Sequence, residues 1–275
     1  GDSPLGGVFR QMAVGPDYRY TTNAPGWGRP ATADAAAVDA GLRAYMLRVY
    51  NWMASGLLLT GIVALAVVTV PALQELFYTA VQTRTGRVVM QPTILWWVAT
   101  LSPIAFVLVL SFGQNRLSKS TAQLLFWAFA ACMGASMSNL AYRYVGSSIA
   151  STFFITAGMY AAVSLYGYTT KADLTRMGSF LLMGLIGIII AGIVNIFMQS
   201  SALQFAISVI GVIVFLGLTA YDTQRIKADY IEYAYAEGTD EAGKRSALDA
   251  LTLYLNFINL FQFLMQLMGV RQSSE

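Results

Sequence analysis

The fold is decided by residues 178–198, GSFLLMGLIGIIIAGIVNIFM, followed after Gln199-Ser200-Ser201 by residues 203–221, LQFAISVIGVIVFLGLTAY. Neither run holds a charged residue, and each is as long as the roughly 20-residue helix that crosses a bilayer. A helix also satisfies its own backbone hydrogen bonds in lipid. The two runs therefore predict two membrane spans divided at Gln199. A single re-entrant segment is the less favoured alternative.

The rest of the chain repeats this pattern. Only 11% of the 275 residues are charged and 56% are hydrophobic, whereas a soluble domain carries about 25% charged residues. We therefore predict an all-α polytopic membrane protein, a seven-transmembrane-helix bundle within residues 41–271. The five other predicted spans are residues 49–70, 93–112, 121–142, 148–168 and 251–270.

Residues 1–40 differ from the rest in composition. They contain four prolines and a mixture of Asp and Arg, without an apolar run. This composition predicts a disordered N-terminal tail and does not fit a signal peptide. An amphipathic helix from Val38 to Arg48 is expected to lead into the first span.

The basic residues indicate the orientation. Of the 17 Lys and Arg residues, 13 precede the first predicted span or lie in the loops 113–120, 169–177 and 222–250. Cytoplasmic loops of membrane proteins are enriched in Lys and Arg. The N-terminus is therefore predicted to be cytoplasmic, with the lipid bilayer as the main partner of the chain.

The histidine and cysteine content excludes several kinds of catalytic and metal site. The sequence has no histidine and one cysteine, Cys132, so this chain cannot build a Ser-His-Asp triad, a Cys-His dyad or the common zinc sites. We predict that it is not an enzyme and has no cofactor. Its net charge of +3 is spread between the spans, which does not fit a nucleic-acid partner.

Polar residues at the ends of the last two spans are the candidates for function. Asp222 directly follows the sixth span and continues a face formed by Ser208, Gly211 and Thr219. A carboxylate on that face would point into the bundle. The alternative is an ordinary interfacial aspartate at a helix end.

The seventh span carries a stripe of amides that includes Asn256 and Asn259. Amides in membrane helices commonly hydrogen-bond to neighbouring helices. Lining a polar path through the bundle is the other interpretation, and the spacing favours neither strongly.

Two motifs carry a family resemblance: YDTQRI at residues 221–226 and LYLNFINLF at 253–261. Together with LRAYM at 42–46 and VYNWM at 49–53, they resemble bacterial members of the Bax inhibitor-1 (transmembrane Bax inhibitor motif) family. The resemblance covers about residues 40–270. It implies a bundle whose last helix is central and a pH-modulated calcium leak, with a role in stress response.

The resemblance also implies a set of site residues. In the family, a carboxylate on the sixth helix and one on the seventh share a proton and act as a pH sensor, with an arginine after the second helix as a latch. Asp222 matches the first carboxylate, and Arg116 is the candidate latch. The second carboxylate position is Asn256, so pH gating and calcium binding near Asp222 are expected to be weaker. Asp249, about 10 Å along the helix, is a candidate substitute.

A second function is also compatible with the resemblance. Some bacterial relatives are understood to modulate a membrane-bound AAA protease through an exposed tail, and residues 1–40 suit such a role. The chain would then be a regulatory interaction protein with a membrane protease as its partner, rather than a leak for calcium or other cations. The bacterial inner membrane is the favoured location, with a mitochondrial or endoplasmic reticulum membrane as the alternative.

Overall fold

The computed structural model describes residues 32–84, 86, 88–113, 118–233 and 239–272. The chain divides into two compact units, Gly1–Ala40 and Gly41–Glu275. In the first unit, residues 32–40 are helical, so the helix begins earlier than the predicted lead-in at Val38. The rest of the predicted tail lies outside the described residues, and everything below concerns the second unit.

The described chain is built almost entirely of helices, which confirms the all-α fold class. The elements follow in the order α1 (Thr32–Thr69), α2 (Pro71–Phe77), β1 (Tyr78–Gln82), β2 (Val88–Pro92), α3 (Ile94–Gly113), α4 (Lys119–Met137), α5 (Leu140–Arg143), α6 (Gly146–Thr169), α7 (Thr175–Met198), α8 (Ser201–Tyr233) and α9 (Thr239–Met268).

Within the described ranges, six helical stretches are long and apolar enough to cross a membrane: Val38–Thr69, Lys119–Arg143, Gly146–Thr169, Thr175–Met198, Ser201–Glu232 and Ala242–Met268. Each coincides with one of the predicted spans. The remaining predicted span, 93–112, falls on α3, a 20-residue apolar helix whose interior contains Pro103.

The division between α7 and α8 occurs where the sequence predicted it. Gln199 adopts a left-handed conformation with φ of 49°, which ends α7, and its backbone N–H donates to the carbonyl of Asn195. The side-chain oxygen of Asn195 accepts the N–H of Ser200 at 3.0 Å. A new helix starts at Ser201, so the region forms two spans rather than one re-entrant segment.

A small antiparallel hairpin joins α2 to α3, and the sequence analysis did not predict it. In β1 only Tyr78 is buried, so the strands lack the alternating apolar face that would reveal them. The Tyr78 hydroxyl lies 2.7 Å from the Ser138 hydroxyl, and burial raises the pKa of this phenol. Attachment at Tyr78, rather than a buried sheet face, holds the hairpin.

The core lies around α8 and α9. Helix α8 packs against α6, α7 and α9, while α9 also packs against α4 and α6. Tyr254 of α9 is fully buried, with edge-on contacts to Phe126 and Phe129. Of the six long apolar helices, α9 has the largest buried share.

Glycines allow two of these helices to touch backbone to backbone. A Cβ atom on Gly167 of α6 would collide with the carbonyl of Ala220 and lie 2.9 Å from its Cα. Small residues of this kind permit close approach of membrane helices. This contact sets the position of α6 along α8. It lies at Ala220, two residues before Asp222.

An amide cluster connects three helices at the end where α7 turns into α8. The side chain of Gln204 accepts from Asn195 at 3.0 Å and donates to Gln266 of α9 at 2.6 Å. The Ser208 hydroxyl also donates to Gln266 at 2.8 Å. Gln266 thus acts as structural glue, one of the two roles considered for the amides of the seventh span.

Replacing Gln266 by leucine is expected to destabilise the protein by about 0.6–1.7 kcal/mol, the range measured for hydrogen bonds between membrane helices. The matched control is Gln262→Leu, one turn earlier on α9, because no described residue is hydrogen-bonded to Gln262. Equilibrium unfolding in mixed micelles measures both. Equal losses in the two variants would contradict a specific role for the cluster.

Candidate functional site

Asp222 lies on α8, and its carboxylate points into the bundle. It follows the small and polar face of α8, and only 6% of the residue is exposed. Thr219 and Thr223, one turn before and one residue after, are fully buried. Asp222 is therefore buried within the bundle and does not lie at the end of α8, which continues to Tyr233. A buried carboxylate in a membrane helix is costly and requires partners.

Two partners occupy the two oxygens of Asp222. The side-chain amide of Asn256 on α9 donates to Oδ2 at 2.7 Å. The guanidinium of Arg225, three residues later on α8, lies 3.0 Å from Oδ1. Asn256 is itself buried, whereas the Arg225 side chain is 41% exposed. We call these three residues the Asp222 cluster.

Asp249 is held separately from the Asp222 cluster. Its Oδ2 accepts a hydrogen bond of 2.6 Å from the hydroxyl of Tyr45 on α1. The charges of Arg225 and Arg245 lie near Asp249. Asp249 therefore does not take the place of a second carboxylate bonded to Asp222. It anchors α9 to α1 instead.

The other polar residues of the YDTQRI motif bind neighbouring elements. Gln224 accepts the N–H of Leu174 at 2.9 Å and donates to the carbonyl of Ala172 at 2.8 Å, so it fixes the loop between α6 and α7. Lys227, just beyond the motif, donates to the carbonyl of Tyr168 at 2.9 Å. The motif thus places α8 against the ends of α6 and α7.

A chain of hydroxyl groups approaches the cluster from α1. The Thr223 and Ser164 hydroxyls lie 3.1 Å apart, and Ser164 is hydrogen-bonded to the hydroxyl of Tyr50. One turn before Ser164 on α6, the Tyr160 hydroxyl donates to the carbonyl of Leu253 on α9 at 3.1 Å. The cluster is therefore surrounded by polar groups of α1, α6 and α9.

The remaining predicted site residues behave differently. The Asn259 amide donates to the carbonyl of Leu255 within its own helix at 2.8 Å, so Asn259 does not join Asp222. Arg116 lies outside the described residues. Among the described residues, the arginine that contacts Asp222 is Arg225, which was not among the predicted site residues. Its spacing of three residues from Asp222 was the available signal, because residues i and i+3 of a helix are neighbours.

The cluster offers few ligands for a metal. Calcium takes six to eight oxygen ligands, often from several carboxylates, whereas Asp222 is shared with a guanidinium and an amide. In the part of the chain that the structure describes, no group of three or more His, Cys, Asp or Glu side chains could hold a metal ion. The arrangement suits a neutralised buried charge rather than a tight cation site.

The fold and the cluster define a polytopic helical membrane protein with a buried carboxylate at the contact of two helices. The chain matches the family described as "Inhibitor of apoptosis-promoting Bax1" over residues 42–273. It belongs to this Bax inhibitor-1 family, as the two motifs predicted.

Bacterial relatives cover most of the chain. A protein of Rickettsia prowazekii, RP147, is 47% identical over 88% of this chain and 95% of its own length. A protein of Caulobacter vibrioides is 46% identical over 89% and 96%. The inner membrane protein YbhL of Escherichia coli is 45% identical over 85% and 94%. With its six long apolar helices, this chain is a multi-pass protein of the bacterial inner membrane.

Proposed function

We propose that the protein is a passive leak for calcium or other cations, closed at its cytoplasmic end by the Asp222 cluster. One observation carries this proposal: a carboxylate buried in a membrane helix is bonded to the last helix and paired with a half-exposed arginine. Ionisable residues at such positions commonly mark ion pathways. A cation that reaches Asp222 must displace Arg225.

The architecture that goes with this function is a seven-helix bundle arranged around α9. The apolar helix α3 would supply the seventh span, and the large buried share of α9 supports its central place. The excess of basic residues in the loops at the Asp222 end supports a cytoplasmic location of the cluster. We also propose that the protein has no enzymatic activity and requires no cofactor.

The Asp222 cluster also accounts for the weak pH gating that we propose. Two adjacent carboxylates would share a proton and titrate as a pair. Here the Asn256 amide donates a hydrogen bond to Asp222, but it has no group that titrates. Of these two residues, Asp222 is therefore the one that can be protonated, and a proton competes with Arg225 for its carboxylate.

Calcium entry into liposomes with a trapped dye tests the proposal, at external pH values from 6 to 8. Wild type is expected to admit calcium with a shallow pH dependence, and Asp222→Asn to abolish that dependence. Asn256→Asp is expected to make the dependence steep because it creates a carboxylate pair. The control Asn259→Asp adds the same charge at a side chain whose hydrogen bond in the described structure stays within α9, and it should leave the profile shallow.

The proposal fails if all four proteins match empty liposomes. The second candidate, regulation of a membrane protease or another membrane partner, would then take its place. The asparagine at position 256 favours this second candidate, because it stands in place of one of the two carboxylates on which pH gating in the family depends. Deletion of the N-terminal tail should abolish regulation and spare the leak, while Asp222→Asn should do the reverse.

A further inference from the structure

An open groove of about 570 Å³ lies along α1 beside α4. Its polar lining comes from Arg48, Asn51 and Ser55, and its aromatic lining from Trp52 and Trp127. None of these residues belongs to the Asp222 cluster. The groove is therefore separate from the proposed leak.

The backbones of α1 and α4 are in contact at one point along their length. At another point aromatic side chains hold the two helices apart, and the groove forms there. The Thr60 hydroxyl donates to the carbonyl of Ala130 at 2.9 Å, which holds the backbones together. One turn earlier on α1, Gly56 accommodates the ring of Phe126. Trp52 packs edge-on against Phe126 and at 5.5 Å from Trp127. Aromatic rings thus form the wall of the groove.

The polar lining of the groove includes the exposed positive charge of Arg48. Arg48 and Asn51 are both exposed, and neither side chain is hydrogen-bonded or ion-paired to any residue that the structure describes. Arg48 is also the last charged residue before the apolar run that starts at Val49. It therefore stands at the level of the lipid headgroups, where tryptophans such as Trp52 and Trp127 are enriched.

We propose that this groove binds an anionic phospholipid. The phosphate would be held by the Arg48 guanidinium and the Asn51 amide, and an acyl chain would lie along Trp52 and Trp127. The positive charge of Arg48 favours an anionic lipid, because basic pockets between membrane helices bind anionic headgroups. The two tryptophan rings that line the groove beside these polar groups fit a lipid rather than free phosphate.

Native mass spectrometry of the full chain, equilibrated with equimolar phosphatidylglycerol and phosphatidylcholine, tests this site. Wild type should retain phosphatidylglycerol preferentially. Arg48→Gln should reduce that preference about fivefold, the effect of one basic residue near an anionic surface. The matched control is Arg43→Gln, an exposed arginine of α1 that does not line the groove, and it should keep the wild-type ratio.

Three outcomes would overturn the proposal. Wild type could show no preference for the anionic lipid. Arg48→Gln could leave the ratio unchanged. The two arginine variants could lose the preference equally, which would indicate diffuse surface charge. Asn51→Leu provides a second variant, and a retained wild-type ratio there would exclude the assigned headgroup contact.

Discussion

Gly167→Ala is expected to lower the free energy of unfolding by about 1–3 kcal/mol or more, as overpacking of a filled core does. The new methyl group would meet the backbone of Ala220 rather than a side chain that could move aside. Helices α6 and α8 would have to separate, and Asp222 would shift with α8. Thermal or denaturant unfolding in detergent measures the loss.

Gly158→Ala is the matched control, because Gly158 lies on the same helix with no atom near the position of a Cβ. Alanine is a better helix former than glycine by about 1 kcal/mol, so this variant should be neutral or slightly stabilised. If both variants lose stability equally, the close contact at Ala220 does not set the helix spacing.

Asn256→Leu is expected to destabilise the protein by about 1–3 kcal/mol, the cost of leaving a buried polar group without a partner. Leucine has nearly the shape of asparagine but cannot donate to the buried Oδ2 of Asp222. Because that group is charged, the loss should lie at the upper end of the range. Equilibrium unfolding again provides the measurement.

Asn259→Leu on the same helix separates this effect from a general loss of polarity. Within the described part of the chain, the Asn259 amide bonds only to the Leu255 carbonyl, and its removal should change stability by no more than about 0.5 kcal/mol. A loss at Asn259 as large as that at Asn256 would show that the bond to Asp222 is not special.

The membrane spans could be predicted from the sequence because lipid imposes a simple rule of length and polarity. Residues 178–198 and 203–221 satisfy that rule, and the left-handed Gln199 divides them at the polar Gln-Ser-Ser sequence. The hairpin at Tyr78 could not be predicted in this way. Its strands are mostly exposed, and it is attached through long-range contacts of Tyr78 with Ser138 and Tyr142.

The site was partly predictable for a related reason. Helical spacing placed Asp222 on an inward face, and the motif resemblance paired it with Asn256. The role of Arg225 depends on which way its side chain turns, and that of Asp249 on a partner, Tyr45, that is 204 residues distant in sequence. Helical spacing marks Arg225 as a neighbour of Asp222 but does not fix the direction of its side chain, and it carries no information about Tyr45.

The burial of α9 has a consequence for how the protein is made. This helix is the least apolar of the six long helices and the most buried, and it follows the other five along the chain. Insertion from the translocon is governed by apolarity, so α9 should enter the bilayer less readily by itself than α7. Its stable integration would depend on helices that are already in place, and truncations before α9 should leave inserted but unassembled chains for quality-control proteases.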